Sequence, residues 1–250
     1  MKMARKVGEE MTDMVLRWAM SSWEDTINLE HDDLHSVYRI WSASVCWGYI
    51  LMEEEDIDNI DYYIALESNV DMEASTLMAL SGFYRHANLI LRGWLELTFL
   101  GLWFHNSYDL YEKWLKDTLD APFKRRGYFR KRWLLQILSE PSFKDFEQKY
   151  KLSDEVLDVF EKLSKSTHAK GKILHETYTR GDSVTRFRRD SFKQWFQNLC
   201  LVFDITSTAL FLRYPNLFKS QRKEAVEIRE TISESKQEQL KEFLLYKTHE

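Results

Sequence analysis

Ser191–Arg213 reads SFKQWFQNLCLVFDITSTALFLR. Within it Phe192, Trp195, Phe196, Leu199, Val202 and Phe203 recur at three- and four-residue intervals. That is the period of a helix with one buried face, whereas a half-buried strand would alternate every second residue. Ser191 with Gln194 matches a capping box, and Pro215 stands just beyond the last turn. The stretch decides the fold class, because the same period returns along most of the chain.

Upstream, the most apolar window is Leu89–Phe104, LILRGWLELTFLGLWF. It holds Arg92 and Glu96 and is too short to span a bilayer, so it reads as a buried core helix. The pattern extends it to a long central helix from about Met72 to Phe104, with Asp71 as an N-cap accepting a first-turn N–H. Gly82, Gly93 and Gly101 fall inside that helix, where a missing side chain lets a neighbour come close.

Further helices are expected over about Lys6–Thr26 and Asp32–Glu54, the second with Val37, Ile40, Trp41, Val45 and Tyr49 on one stripe. Asp56–Asn69 reads as a polar connection with a short helix over Tyr62–Leu66. Shorter helices follow over Ser107–Leu119, Tyr128–Leu138 and Ser153–Ser164, with Pro141 as a stop and Ser142 as a cap. Gln221–Tyr246 reads as one charged helix with Val226, Ile228, Ile232, Leu240, Phe243 and Leu244 as its apolar positions.

The resulting expectation is all-α. Residues 1–70 supply N-terminal helices that pack on the core, 71–215 form a helical core around the long central helix, and 216–250 form a C-terminal amphipathic helix. That last helix packs on the core or pairs with another chain.

Composition agrees. Three Pro and eight Gly in 250 residues leave few turns, which an all-β chain would need every ten residues or so. Nine Trp and 14% aromatic residues supply the apolar bulk that a disordered chain lacks. Cys46 and Cys200 suggest no disulfide framework and point to a reducing, cytoplasmic setting. No apolar stretch of signal-peptide length opens the chain, and no membrane association is expected.

Net charge is −5, but its distribution is uneven. An acidic run occupies Glu53–Asp61. It lacks the glycine and terminal glutamate of a calcium loop and reads as solvated. Lys124–Trp133, KRRGYFRKRW, interleaves Lys124, Arg125, Arg126, Arg130 and Lys131 with Tyr128, Phe129 and Trp133. Cations neutralise phosphates and aromatic faces stack bases, so the run is a candidate nucleic-acid contact. It is equally the exposed face of a helix whose Phe129 and Trp133 turn inward.

A second basic region carries His168 and His175 among Lys162, Lys165, Lys170, Lys172, Arg180, Arg186 and Arg188. Histidine exchanges protons near neutral pH, and the lysines would steer a phosphate toward it. The plainer reading packs His168 at a helix end with the lysines in water. No Cys or His pair completes a zinc spacing, so no metal is expected, and no cofactor motif is present. On the central helix Arg85, Arg92 and Glu96 stand seven and four apart and project to one side. Arg92 and Glu96 form an i,i+4 ion pair, or Arg85 and Arg92 reach across a cleft toward His168.

LILRGWLELTF (Leu89–Phe99) followed later by LSKSTHAKG (Leu163–Gly171) resembles the HEPN superfamily of prokaryotic helical proteins, over roughly residues 75–215. The resemblance implies a helical bundle, frequent homodimerisation, and a role in RNA cleavage or antiviral defence. It marks His168 as the candidate site residue. Ribonuclease members carry an arginine, then four to six residues, then a histidine; here Lys162 stands six before His168 and Lys170 five before His175. Lysine lacks arginine's planar fork for phosphate.

The leading expectation is therefore a module that binds nucleic acid, RNA favoured, or a protein partner within a defence-type assembly. One alternative is a metal-independent endoribonuclease with His168 as general acid or base and Lys162, Lys165 or Arg180 on the scissile phosphate. A second is a purely structural subunit.

Overall fold

Leucine, alanine and aromatic residues at helical spacing, with few glycines or prolines between them, leave the backbone one economical way to pair its N–H and C=O groups. The computed structural model describes residues 31–53, 59–105, 107–118, 131–167 and 187–246. Among these the chain is all-α, with no strand. The helices are α1 (His31–Glu53), α2 (Asn59–Leu80), α3 (Tyr84–Phe104), α4 (Tyr108–Leu115), α5 (Lys131–Leu138) and α6 (Pro141–Tyr150). They continue as α7 (Leu152–Thr167), α8 (Arg189–Arg213), α9 (Pro215–Lys219), α10 (Lys223–Thr231) and α11 (Glu234–Tyr246).

The long central helix expected from Met72 to Phe104 is two helices. Gly82 adopts φ 81°, a left-handed conformation that only glycine takes without cost, and the chain folds back there. α2 and α3 form an antiparallel hairpin in which Asp71 faces Gly93 and Ser75 faces Ala87. The expected polar connection before Asn69 is largely the first half of α2, so Asp71 sits in mid-helix and caps nothing. α2 also runs unbroken through residue 70.

α3 is the axis. Ala87, Leu91, Leu95 and Phe99 on it are fully buried. α8 lies alongside in the same direction: Arg188 meets Tyr84, Asn198 meets Asn88, Phe203 meets Trp94, and Arg213 meets Leu102. The expected capping box of Ser191 and Gln194 does not cap, since α8 starts at Arg189 and Arg188 holds the N-cap position in extended conformation. At the start of α6, Pro141 occupies the first turn, where its missing N–H costs nothing, so it opens that helix rather than ending the one before. Ser142 therefore lies inside the helix and is not its cap.

The C-terminal helix expected over 221–246 is also two. Ile232 turns to extended backbone after α10, and the Ser233 amide donates to Asp204 of α8 at 2.9 Å. Both pieces pack on the body: Ile228, Leu240 and Leu244 are buried, and Phe243 meets Phe146 edge-on.

α1 corrects a further expectation. The single stripe read from Val37, Ile40, Trp41, Val45 and Tyr49 is two faces. Val37 and Ile40 belong to the buried side with Trp47, Ile50 and Leu51, while Tyr49 is exposed and Trp41 and Val45 half-buried.

Candidate functional site

α7 ends at Thr167 and the described chain resumes at Phe187, so residues 168–186, with His168 among them, begin and end at those two points.

The second point is fixed by Tyr84, the first residue of α3. The phenol donates to the Arg188 carbonyl at 3.0 Å and accepts from the Arg188 amide at 2.9 Å. Burial pushes the Tyr84 pKa up to about 12, so the hydroxyl keeps its proton and can play both parts. Phe187 is buried against Phe192, with ring centroids 5.5 Å apart. Deeper in, Trp195 Nε1 donates to Ser75 Oγ at 2.9 Å, and Ser75 donates to the Ala87 carbonyl at 2.9 Å. Asn198 Nδ2 donates to Asn88 Oδ1 at 2.7 Å, and Asn88 Nδ2 to the Tyr84 carbonyl at 2.9 Å. Asn198 Oδ1 is buried without a partner among the described residues.

The first point is set by α7. The Arg92 guanidinium lies 4.4 Å from the Phe160 ring centroid, and Glu155, a turn or more earlier, pairs with Lys236 beside Asp204. These levels run α7 antiparallel to α3, which carries Thr167 toward the Tyr84 end of the bundle. Both anchors of residues 168–186 therefore lie at one end of the molecule.

The expected site residues divide into three groups. His168, Lys170, Lys172, His175, Arg180 and Arg186, with Lys124, Arg125, Arg126 and Arg130, lie outside the described residues. So does the side chain of Lys131, whose backbone begins α5. Of the rest, Arg85 and Lys162 are exposed and Arg188 is half-buried at the Tyr84 anchor. Lys165 pairs with Glu161 at 2.9 Å in water. Arg92 and Glu96 form the i,i+4 pair at 3.0 Å, both about one-fifth exposed, with Phe160 over the guanidinium.

The polar spine Tyr84, Asn88, Ser75 and Asn198 was not expected. Its sequence signal is a polar residue on an apolar stripe: Asn88 falls on the line Tyr84–Asn88–Leu91–Leu95, and Asn198 between Trp195 and Val202.

Elsewhere the chemistry is subdued. Cys46 and Cys200 are free thiols. Cys46 Sγ lies 3.6 Å from a Glu227 carboxylate oxygen, whose other oxygen accepts from Ser42. Burial first, then the Glu227 charge, push the Cys46 pKa up to about 12, which suppresses the nucleophilic thiolate. A crevice of about 30 Å³ between Trp47, Asn69, Trp94 and Thr98 has room for about one water. Among the described residues no three His, Cys, Asp or Glu side chains converge as metal ligands would. One described helix, α8, is long and apolar enough to cross a membrane, and 67% of its apolar window is buried in protein.

Comparison of the chain with known protein families, with characterised proteins and with solved structures finds no match in any of the three.

Proposed function

We propose that the chain is a helical module, HEPN-like in the order of its pieces, that binds RNA through its two cationic segments within a defence-type assembly. Charge segregation carries this reading. Lys124–Arg132 holds six cations and no carboxylate, and Lys162–Arg189 holds eight cations against Glu176 and Asp182. Elsewhere in the described body several cations meet carboxylates: Arg92 meets Glu96, Arg213 Glu140, Lys236 Glu155, Arg222 Glu53 and Lys149 Glu242.

Clusters of like charge repel one another and cost stability, so a bound polyanion relieves them. RNA is favoured over duplex DNA because Tyr128, Phe129 and Tyr178 stand among the cations, and unpaired bases stack on such rings.

The test is fluorescence anisotropy with a labelled single-stranded RNA. Affinity falls about tenfold or more between low and moderate salt if several phosphates are neutralised. The quadruple variant Arg125→Glu, Arg126→Glu, Arg130→Glu, Lys131→Glu weakens binding by at least as much at low salt. No binding at low salt, or a variant that binds as the parent does, sinks the reading.

A further inference from the structure

Three helices end at one pole of the bundle. The bonds between Tyr84 and Arg188 set the first turns of α3 and α8 side by side. α7 runs antiparallel to α3, with Phe160 level with Arg92, and so brings its last turn to the same level. Residues 83–86, 161–167 and 187–193 make up this pole. They hold six cations, Arg85, Lys162, Lys165, Arg188, Arg189 and Lys193, against two carboxylates, Glu161 and Asp190. Lys165 and Glu161 meet at 2.9 Å and cancel, which leaves five cations and one carboxylate. Arg85, Lys162, Arg189 and Lys193 are exposed.

The flank of the body has the opposite sign. Between residues 31 and 80, which take in α1 and α2, the chain has eleven carboxylates and one cation, Arg39. Glu73, the last of these acids, stands about two turns before the end of α2, so the acidic run stops short of the pole. A polyanion is repelled along that flank and drawn to the pole. The pole also offers a ring. His86 is exposed and stands edge-on to Phe83, with centroids 5.9 Å apart. An unpaired base stacks on such a ring, and a lipid headgroup has no use for it.

We infer that this pole is the floor of the RNA site, with Arg85, Arg189 and Lys193 on the phosphates and His86 beneath a base. The inference rests on the RNA reading above and extends it. Arg85, His86 and Lys193 lie outside both cationic segments and are held by helices of the folded body. Packed helices lie about 8–10 Å apart, so the cations on α3 and α8 meet the strand at separate, fixed points.

The test titrates a short labelled single-stranded RNA into the full chain at several salt concentrations. The pole variant Arg85→Gln, Arg189→Gln, Lys193→Gln removes three exposed charges and leaves the Arg188 anchor alone. Its affinity falls about tenfold or more at low salt. Its plot of log affinity against log salt is shallower by about two, as the loss of three phosphate contacts on a single strand requires. The control variant Lys144→Gln, Lys219→Gln, Lys241→Gln makes the same change of net charge at exposed sites away from the pole. It keeps the affinity and slope of the parent. His86→Ala lowers affinity about fivefold or more and leaves the salt slope alone, because a stacked base releases no counterion. Thermal unfolding of each variant checks the fold; if the pole variant unfolds early, Lys193→Gln by itself flattens the slope by about 0.7.

A parent chain that binds no RNA at low salt ends the RNA reading and this inference with it. A parent that binds, with a pole variant of unchanged affinity and slope, overturns the pole alone. So do equal losses in the pole and control variants, which assign binding to net charge. Flotation with phosphatidylserine vesicles that the pole variant abolishes, while RNA binding stays as in the parent, assigns the pole to a lipid surface and also overturns the inference.

Discussion

The Tyr84 hydroxyl and the main chain of Arg188 hold each other twice, donating at 3.0 Å and accepting at 2.9 Å across 104 residues of sequence. One phenol thus bonds both backbone groups of Arg188, just before α8 begins. Tyr84→Phe removes that oxygen and takes it from the part-buried Arg188 amide, while the Arg188 carbonyl keeps the Phe192 N–H at 2.8 Å. The expected cost is about 1–3 kcal/mol. Urea unfolding measures it, and hydrogen exchange localises it: the amides of Arg188 to Phe192 exchange faster while those of α11 do not. Because the Tyr84 pKa is raised above its unfolded value near 10, this contribution holds below that pH. It is lost only as pH rises through about 12.

Asp71 gives a pH dependence of the same sign that falls within the ordinary range. Burial first, then the charge of Glu67, push its carboxyl from 3.8 up to about 6. The folded state therefore holds the proton more tightly than the unfolded one. Its stability contribution is present below about 4 and is lost as pH rises through about 6. Asp71→Asn should stabilise the protein at pH 7 by about 1 kcal/mol after allowance for solvent screening. At pH 4 the gain should vanish. Paired urea titrations at the two pH values check it; an equal gain at both would show that charge is not the cause.

Gly93 faces the same carboxylate. A Cβ there would lie 2.9 Å from Asp71 Oδ2, closer than such atoms come. Gly→Ala inside a helix normally gains about 1 kcal/mol. In this chain the Asp71 carboxylate must swing aside to admit the methyl, so Gly93→Ala should gain less than that. With Asp71→Ala already in place the full gain should return. A double-mutant cycle on thermal unfolding reads the difference directly.

Gly82 and Gly93 show what the sequence could and could not reveal. Both interrupt the same apolar pattern, and the period alone treats them alike. One turns the chain at φ 81° and the other receives a side chain from the facing helix. Only the partner helix distinguishes them, so the period by itself implies one long helix where there are two. The Arg92–Glu96 pair was legible because i,i+4 spacing is a local property of any helix. α8 was legible for the same reason. The outer row of α1 was visible residue by residue but was merged with the core stripe, since hydropathy does not say which of two apolar faces is covered. The cationic clusters were plain in the sequence; the Tyr84 anchor, a contact 104 positions apart, left no mark beyond a tyrosine at a helix start.

Arg213 tests how far the far end of the bundle depends on one buried cation. Its side chain is 5% exposed, donates to Glu140 at 2.7 Å and to the Leu102 carbonyl at 2.9 Å, and lies 4.9 Å from the Phe143 ring centroid. It thereby joins the end of α8 to α3 and α6. Its Nε is buried with no partner among the described residues, so the site is not fully compensated. Arg213→Ala strands Glu140, 28% exposed, and opens a hole over Phe143, for an expected loss of about 3–5 kcal/mol. Arg213→Lys should recover only part of this, because one ammonium cannot serve carboxylate, carbonyl and ring in the plane the guanidinium occupies. Arg213→Met separates packing from charge. If it proves as stable as the parent, the cation is dispensable once its volume is filled. If it is as poor as alanine, the hydrogen bonds to Leu102 and Glu140 carry the junction. Denaturant midpoints of the three variants, taken with Glu140→Gln as a partner control, distinguish these outcomes.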